Sequence, residues 1–189
     1  MTGLQNSQIP MPVWERLLKS CGLRRAELER LRLGDITQDD EEQIWLHVAE
    51  SEESPARDVP IIDDRAILAI LTGQFWLIED ELSEETRRRL RRRWKPIRFQ
   101  EIIRKRATDD LLVSSLSPDL DFEQCRHEYA WYLYFGTIEA LGVVEYPTTF
   151  NEVGEQVRLA LGLPKIDEMI RGFMRRAKRD FMREFKASV

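Results

Sequence analysis

The sequence predicts an α+β domain that is mostly α-helical, with one small antiparallel β-sheet near its N-terminus. Three observations predict this. Apolar residues recur at helical spacing through most of the chain. The pattern is clearest from Lys165 to Lys186, where Ile166, Met169, Ile170, Phe173, Met174, Ala177, Phe181, Met182 and Phe185 keep a period of about 3.6 residues. One region, Gln43 to Ile62, has the β-formers and the polar turn of a hairpin. Finally, 189 residues suit one domain with a core of its own.

In chain order, Pro12 to Ser20 is a predicted helix, with Val13, Leu17 and Leu18 on one face. A second helix, Arg25 to Arg32, presents Leu28 and Leu31 and is closed by Gly34 as a C-terminal cap. Two or three strands come from the Gln43 to Ile62 region: Ile44 to Ala49 and Asp58 to Ile62 flank a polar turn, Glu50 to Ala56, that contains Pro55. Helices follow at Asp64 to Ile78, Ser83 to Trp94 and Phe99 to Arg106, with Ser83 an N-cap ahead of Glu84 and Glu85. Asp121 caps a helix from Phe122 to Leu141. Tyr146 to Phe150 is a turn or loop, and Asn151 to Leu161 is a helix stopped by Gly162 and Pro164. Lys165 to Lys186 is the last helix.

Composition narrows the function classes. Hydrophobic residues make up 42% and charged ones 33%, with a mean hydropathy of -0.45, which excludes collagen-like and wholly disordered chains. The longest apolar run, Ala66 to Leu71, is too short to span a bilayer, so no membrane partner is expected. The N-terminus lacks the basic and apolar regions of a signal peptide. Cys21 and Cys125 form no disulfide framework, and only His47 and His127 are available to join them, so neither metal nor cofactor is expected. The expected location is cytoplasmic.

Charge is unevenly spread. The chain carries a formal -5, yet Arg87, Arg88, Arg89, Arg91, Arg92, Arg93, Lys95, Arg98, Arg104, Lys105 and Arg106 face a single acid, Glu101, within one segment. A second basic stretch, Arg171 to Lys186, sets seven cations against Asp180 and Glu184. Such blocks contact phosphate, or they are solvated helix faces neutralised by acids such as Asp80, Glu81, Glu84 and Glu85. The run alone does not choose between these.

The segment Gly22-Leu23-Arg24-Arg25-Ala26-Glu27-Leu28, continuing to Asp35-Ile36, resembles the first arginine box of the tyrosine recombinase (phage integrase) family, which reads roughly T-G-L-R-x-x-E-L-x-x-L-x-x-x-D-I. A hairpin ending in Arg57-Asp58-Val59-Pro60 follows, as it does in that family. Glu123-Gln124-Cys125-Arg126-His127 resembles the family's H-x-x-R-H box. The resemblance covers most of the chain. It implies an integrase catalytic-domain-like fold over residues 1–189, with no N-terminal core-binding domain ahead of it. In such a fold a tyrosine attacks a DNA phosphodiester while two arginines neutralise the phosphate oxygens, for which forked guanidinium groups are suited. Arg24 and Arg126 match those arginines and His127 the histidine beside the second. The competing reading makes Arg24 and Arg126 surface or helix-cap residues; in either reading His127 is a structural hydrogen-bonding residue rather than a catalyst.

The departures carry as much information. The hairpin loop, Glu50 to Ala56, offers no amine where the family has a lysine. Glu123 stands at the first histidine of the second box, where its charge can pair with Arg126 and compete with phosphate. Leu159 to Asp167 resembles the family's E-L-G-H segment with Leu163 at the histidine. The nucleophile normally follows soon after, where Gly172 and Phe173 stand, and no tyrosine occurs beyond Tyr146. Tyr129, Tyr132 and Tyr134 lie on the second-box helix among core aromatics.

The resemblance therefore implies a recombinase fold without strand cleavage. It would be a DNA-binding accessory or regulatory factor of a mobile element, gripping double-stranded DNA weakly or non-specifically through Arg24, Arg126, Arg87, Arg88, Arg91, Arg92, Arg93, Lys95 and Arg98. A full-length integrase, or self-association through the C-terminal helix, is the implied protein partner, although that helix's apolar face also suits a simple intramolecular core. Two alternatives stand beside this: a protein-interaction module that keeps the fold without DNA binding, and an active recombinase with a relocated nucleophile.

Overall fold

The computed structural model describes residues 9–40, 43–52, 54–72, 111–112, 120–141 and 148–187. Helix α1 (Met11–Cys21) starts after Pro10 and buries Val13, Trp14, Leu17, Leu18 and Cys21. Its end is set by Gly22, whose φ of 59° is left-handed and whose N–H donates to the Leu18 carbonyl at 2.8 Å. A Cβ at this position would run into the ring of Tyr129.

The second helix is shorter than the sequence predicts. Helix α2 spans only Arg25–Leu28, and the chain continues as a 3₁₀ turn at Leu33–Asp35. Arg30 and Leu31 already donate to carbonyls three residues back, the tighter pattern that ends an α-helix. The break has a packing reason. At about 100° per residue, a continuous helix would point Leu33 away from Leu31, whereas here both are buried. Gly34 therefore lies inside the second turn and caps nothing; the Asp35 carboxylate accepts the Arg32 N–H instead, at 2.7 Å.

Three strands form an antiparallel sheet in the order β1 (Ile36–Gln38), β2 (Ile44–Val48), β3 (Arg57–Pro60). The first lies upstream of the region the sequence marks out, and Ala49, Ile61 and Ile62 fall outside the strands. Register places Ile36 opposite Leu46 and Leu46 opposite Val59, a buried apolar row flanked by Ile44 and Val48. His47 and Asp58 pair on the solvent face at 2.9 Å.

Helix α3 (Arg65–Thr72) buries Ala66, Ile67, Ala69, Ile70 and Leu71, and Asp63 anchors its start by accepting bonds from Arg16 and Arg65. The end of the predicted Asp64 to Ile78 helix, and the predicted Ser83 to Trp94 and Phe99 to Arg106 helices, lie outside the described residues. Helix α4 (Phe122–Leu141) has the predicted bounds, and Asp121 caps it through the Gln124 N–H at 2.9 Å. It packs against α1 and against the two helices that follow, and Tyr129 reaches across to donate its hydroxyl to the Pro60 carbonyl at 3.0 Å.

Helix α5 (Thr148–Ala160) begins inside the stretch predicted as loop. Phe150 explains it: this ring is buried on the face of Val153 and Val157 and meets Phe181 edge-on. Gly162, with φ 63°, turns the chain after α5. Helix α6 (Glu168–Ala187) starts later than Lys165 because Asp167 caps it through the Ile170 N–H at 3.0 Å. Ile170, Phe173 and Ala177 are buried, whereas Met182, predicted on the apolar face, is exposed. No helix among the described residues is long and apolar enough to cross a membrane.

A Cβ at Gly162 would collide with the Ser54 hydroxyl and the Arg57 guanidinium. Gly162→Ala is expected to lower the unfolding free energy by about 2 kcal/mol or more, from left-handed backbone strain plus the displaced Arg57. Urea denaturation measures this; a loss below about 0.5 kcal/mol, the range of neutral surface changes, would show that the turn yields freely.

Candidate functional site

Residues far apart in the chain meet where α1 ends, α2 begins and α5 ends. Strand alternation explains how Arg57 enters: Val59 faces the core, so Arg57, two residues earlier, faces it too. Glu27 enters through α2, where it is buried together with Leu28, and Leu23 and Leu31 on either side of this one-turn helix are buried as well. The Arg57 and Glu27 side chains are only 6% and 2% exposed and form a bidentate pair, Nη1 to Oε1 at 2.9 Å and Nη2 to Oε2 at 3.0 Å. Arg57 also donates Nη1 to the Ser54 hydroxyl at 2.6 Å and Nε to the Ala160 carbonyl at 2.9 Å. Glu27 accepts a third bond, from the Arg24 N–H at 2.8 Å.

Arg126 enters the same region from α4. It is buried, and donates Nη1 to the Gly22 carbonyl, 104 residues away in the chain, at 2.8 Å, and Nη2 to the Leu161 carbonyl at 3.2 Å. Gly22 follows the C-terminus of α1, and Ala160 and Leu161 lie at the C-terminus of α5. These are carbonyls that a helix cannot satisfy internally, at the negative end of each helix dipole. Two guanidinium groups thus cap two helix ends.

The electrostatics follow from this crowding. Burial lowers the Arg126 pKa, and the positive charges of Arg24 and Arg57 lower it further, against the opposing pull of Glu27 and Glu123. Burial raises the Glu27 pKa, but the hydrogen bonds from Arg57 and Arg24, together with the Arg57 and Arg126 charges, outweigh it and hold the carboxyl below its ordinary value.

Arg24, half-buried, lies close enough to Arg126 for their charges to interact. The arrangement differs from a shallow exposed pocket in that Arg126 is buried and bonded to main chain. Glu123 is exposed in the first turn of α4 and forms no ion pair with Arg126, contrary to the pairing the sequence allows. His127 is exposed and sets its ring 5.4 Å from that of Phe173, near perpendicular; its contact is aromatic rather than the structural hydrogen bond the sequence reading offered. Phe173 also meets Trp131, Tyr134 and Phe135, while Arg176 lies 4.5 Å above the Trp131 ring. Leu163 is half-buried beside Arg158, which donates to its carbonyl at 2.7 Å. Arg87, Arg88, Arg91, Arg92, Arg93, Lys95, Arg98 and Tyr146 lie outside the described residues.

Among the described residues Tyr132 is exposed, whereas Tyr129, Tyr134 and both thiols are withdrawn. Burial pushes the Tyr134 hydroxyl up to about 12 and the Tyr129 hydroxyl higher still; both donate to main-chain carbonyls, Phe150 and Pro60 respectively. The buried thiols of Cys21 and Cys125 are pushed up to about 12 and about 11. Among the described residues no group of three or more His, Cys, Asp or Glu is placed to hold a metal ion.

The Glu27–Arg57 pair was not foreseen from the residues, although strand alternation already sets Arg57 on the same face as Val59. Comparison with known protein families, with curated proteins and with solved structures finds no match to this chain.

Removing the Glu27 charge strands Arg57, so Glu27→Gln is expected to cost about 3 kcal/mol in urea unfolding at neutral pH. The folded carboxyl titrates below its unfolded value of about 4.3, so its contribution is complete above that pH and disappears as the pH falls through the folded value. Asp63, whose burial is outweighed by bonds from Arg65 and Arg16 that bring it down to about 2, loses its share in the same direction. Stability is therefore expected to fall between about pH 4.5 and 2, less steeply in Glu27→Gln than in the wild type. Equal slopes would remove Glu27 from the account.

Proposed function

We propose that the chain is a tyrosine-recombinase-like protein without strand-cleavage activity, acting as a DNA-binding accessory or regulatory factor of a mobile element. The observation that supports this is that Arg24 and Arg126 share one neighbourhood and that His127 and Phe173 are in ring contact, two pairs drawn from the positions the two boxes and the nucleophile segment assign to one site. Phe173 keeps the aromatic ring but has no oxygen to attack phosphorus. The hairpin loop has carboxylates and no amine, and Leu163 cannot transfer a proton. General acid, general base and nucleophile are missing together.

A second reading, a protein-interaction module with the same fold and no DNA contact, draws on one specific observation. Both terminal nitrogens of Arg126 are bonded to carbonyls of the protein itself. In the DNA-binding reading Arg126 lends positive charge to the surface beneath Arg24, and double-stranded DNA is held weakly by backbone charge.

Incubation with a nicked suicide substrate that traps a phosphotyrosine is expected to give no covalent protein–DNA adduct on a denaturing gel. Phe173→Tyr is expected to give none either, because the proton-transfer groups remain absent. An adduct formed by the unaltered chain would overturn the reading in favour of a relocated nucleophile. Failure to retain any duplex at about 50 mM salt would transfer it to the protein-interaction module.

A further inference from the structure

We infer that the outer face of α6 is a docking ridge for a nucleic-acid backbone. The inference rests on the DNA-binding reading and assigns it a surface. Arg171, Arg175, Lys178, Arg179 and Arg183 are all exposed. At about 100° per residue they fall within an arc of about 140°, on the side opposite Ile170, Phe173 and Ala177. Among the described residues of α6, Glu168 is the acid within this arc, and two cations share it, Arg175 at 2.6 Å and Arg171 at 3.5 Å. Asp180 lies at the edge, 3.7 Å from Arg176. The ridge therefore keeps a net positive charge on a chain whose formal net charge is -5.

Two features select the partner. Ile170, Phe173 and Ala177 on the inner side of α6 are packed into the domain, and Met182 is exposed, so over residues 168–183 the outer face offers charge in place of a broad apolar surface for a bilayer. The cations also follow a straight axis: Arg171 to Arg183 spans about 18 Å at 1.5 Å per residue. That length is about half a turn of B-DNA, over which one strand passes to the far side of the duplex, so the straight ridge meets the few phosphates where a strand runs along it. Long arginine and lysine stems let the heads follow such a line without a shaped pocket.

The test is a salt titration of a fluorescein-labelled duplex of about 20 base pairs by anisotropy, the length leaving room for the ridge. The triple variant Arg175→Glu, Arg179→Glu, Arg183→Glu is compared with the wild type and with Arg→Lys at the same three positions. Three lost phosphate contacts are expected to make the slope of log affinity against log salt shallower by about 2.7, and to weaken binding tenfold or more at low salt. The lysine variant is expected to keep the wild-type slope. Arg183→Gln alone, which leaves folding undisturbed, is expected to lower the slope by about 0.9. An unchanged slope in the charge-reversed and Arg183→Gln proteins would overturn the α6 assignment while leaving DNA binding itself in place. A wild-type chain that retains no duplex would overturn both. Poly-glutamate competing as well as duplex at equal charge would show that the ridge serves acidic protein, and would overturn the nucleic-acid assignment.

Discussion

A carboxylate and a guanidinium, both withdrawn from water, hold four parts of this chain together. Glu27 comes from the single turn of α2, Arg57 from the start of β3, Ser54 from the hairpin tip and Ala160 from the end of α5. Neither charge is tolerable in the interior alone, because desolvating an ion costs several kcal/mol that only a well-formed partner offsets. The bidentate geometry supplies that partner and the neighbouring carbonyl and hydroxyl use further N–H donors. The constraint is mutual: the hairpin must lie against α5 for Arg57 to reach Ala160, and α2 must lie against the hairpin for Glu27 to reach Arg57.

Arg126 depends on the same arrangement. A second buried guanidinium near Arg57 and Arg24 is a like-charge cluster with one buried carboxylate in it. The helix ends offset the repulsion. The carbonyls of Gly22 and Leu161 are unsatisfied acceptors at negative dipole ends, and a planar fork matches two of them as it would match two phosphate oxygens. The chemistry that makes arginine a phosphate ligand therefore also makes it a cap. The two roles compete for the same nitrogens, which is why α6, rather than Arg126, offers the more available charge.

Much of this was legible in the residues. Apolar spacing gave α1 and α6 their places, Asp121 marked the start of α4, and Gly162 marked the turn after α5. β-forming residues on either side of a polar turn marked β2 and β3. What local pattern could not show was where tertiary burial overrides it. Leu33 ended α2 early, Phe150 drew α5 back into the predicted loop, and β1 is three residues whose pairing with β2 is non-local evidence. For the site, the two boxes pointed to Arg24 and Arg126 meeting. Nothing local showed that Arg126 would be spent on carbonyls or that His127 would rest on Phe173, since those partners lie far away in the chain.

That sequence distance has a kinetic consequence. Arg57 bonds Ala160 across 103 residues, and Arg126 bonds Gly22 across 104. Closing loops of that length costs entropy before any contact repays it, so contacts this non-local tend to form late on the folding route. Interactions absent from the transition state slow unfolding without speeding folding. The arginine cluster thus acts less as a nucleus than as a latch: it contributes little to how quickly the chain finds its fold, and much to how long the fold persists.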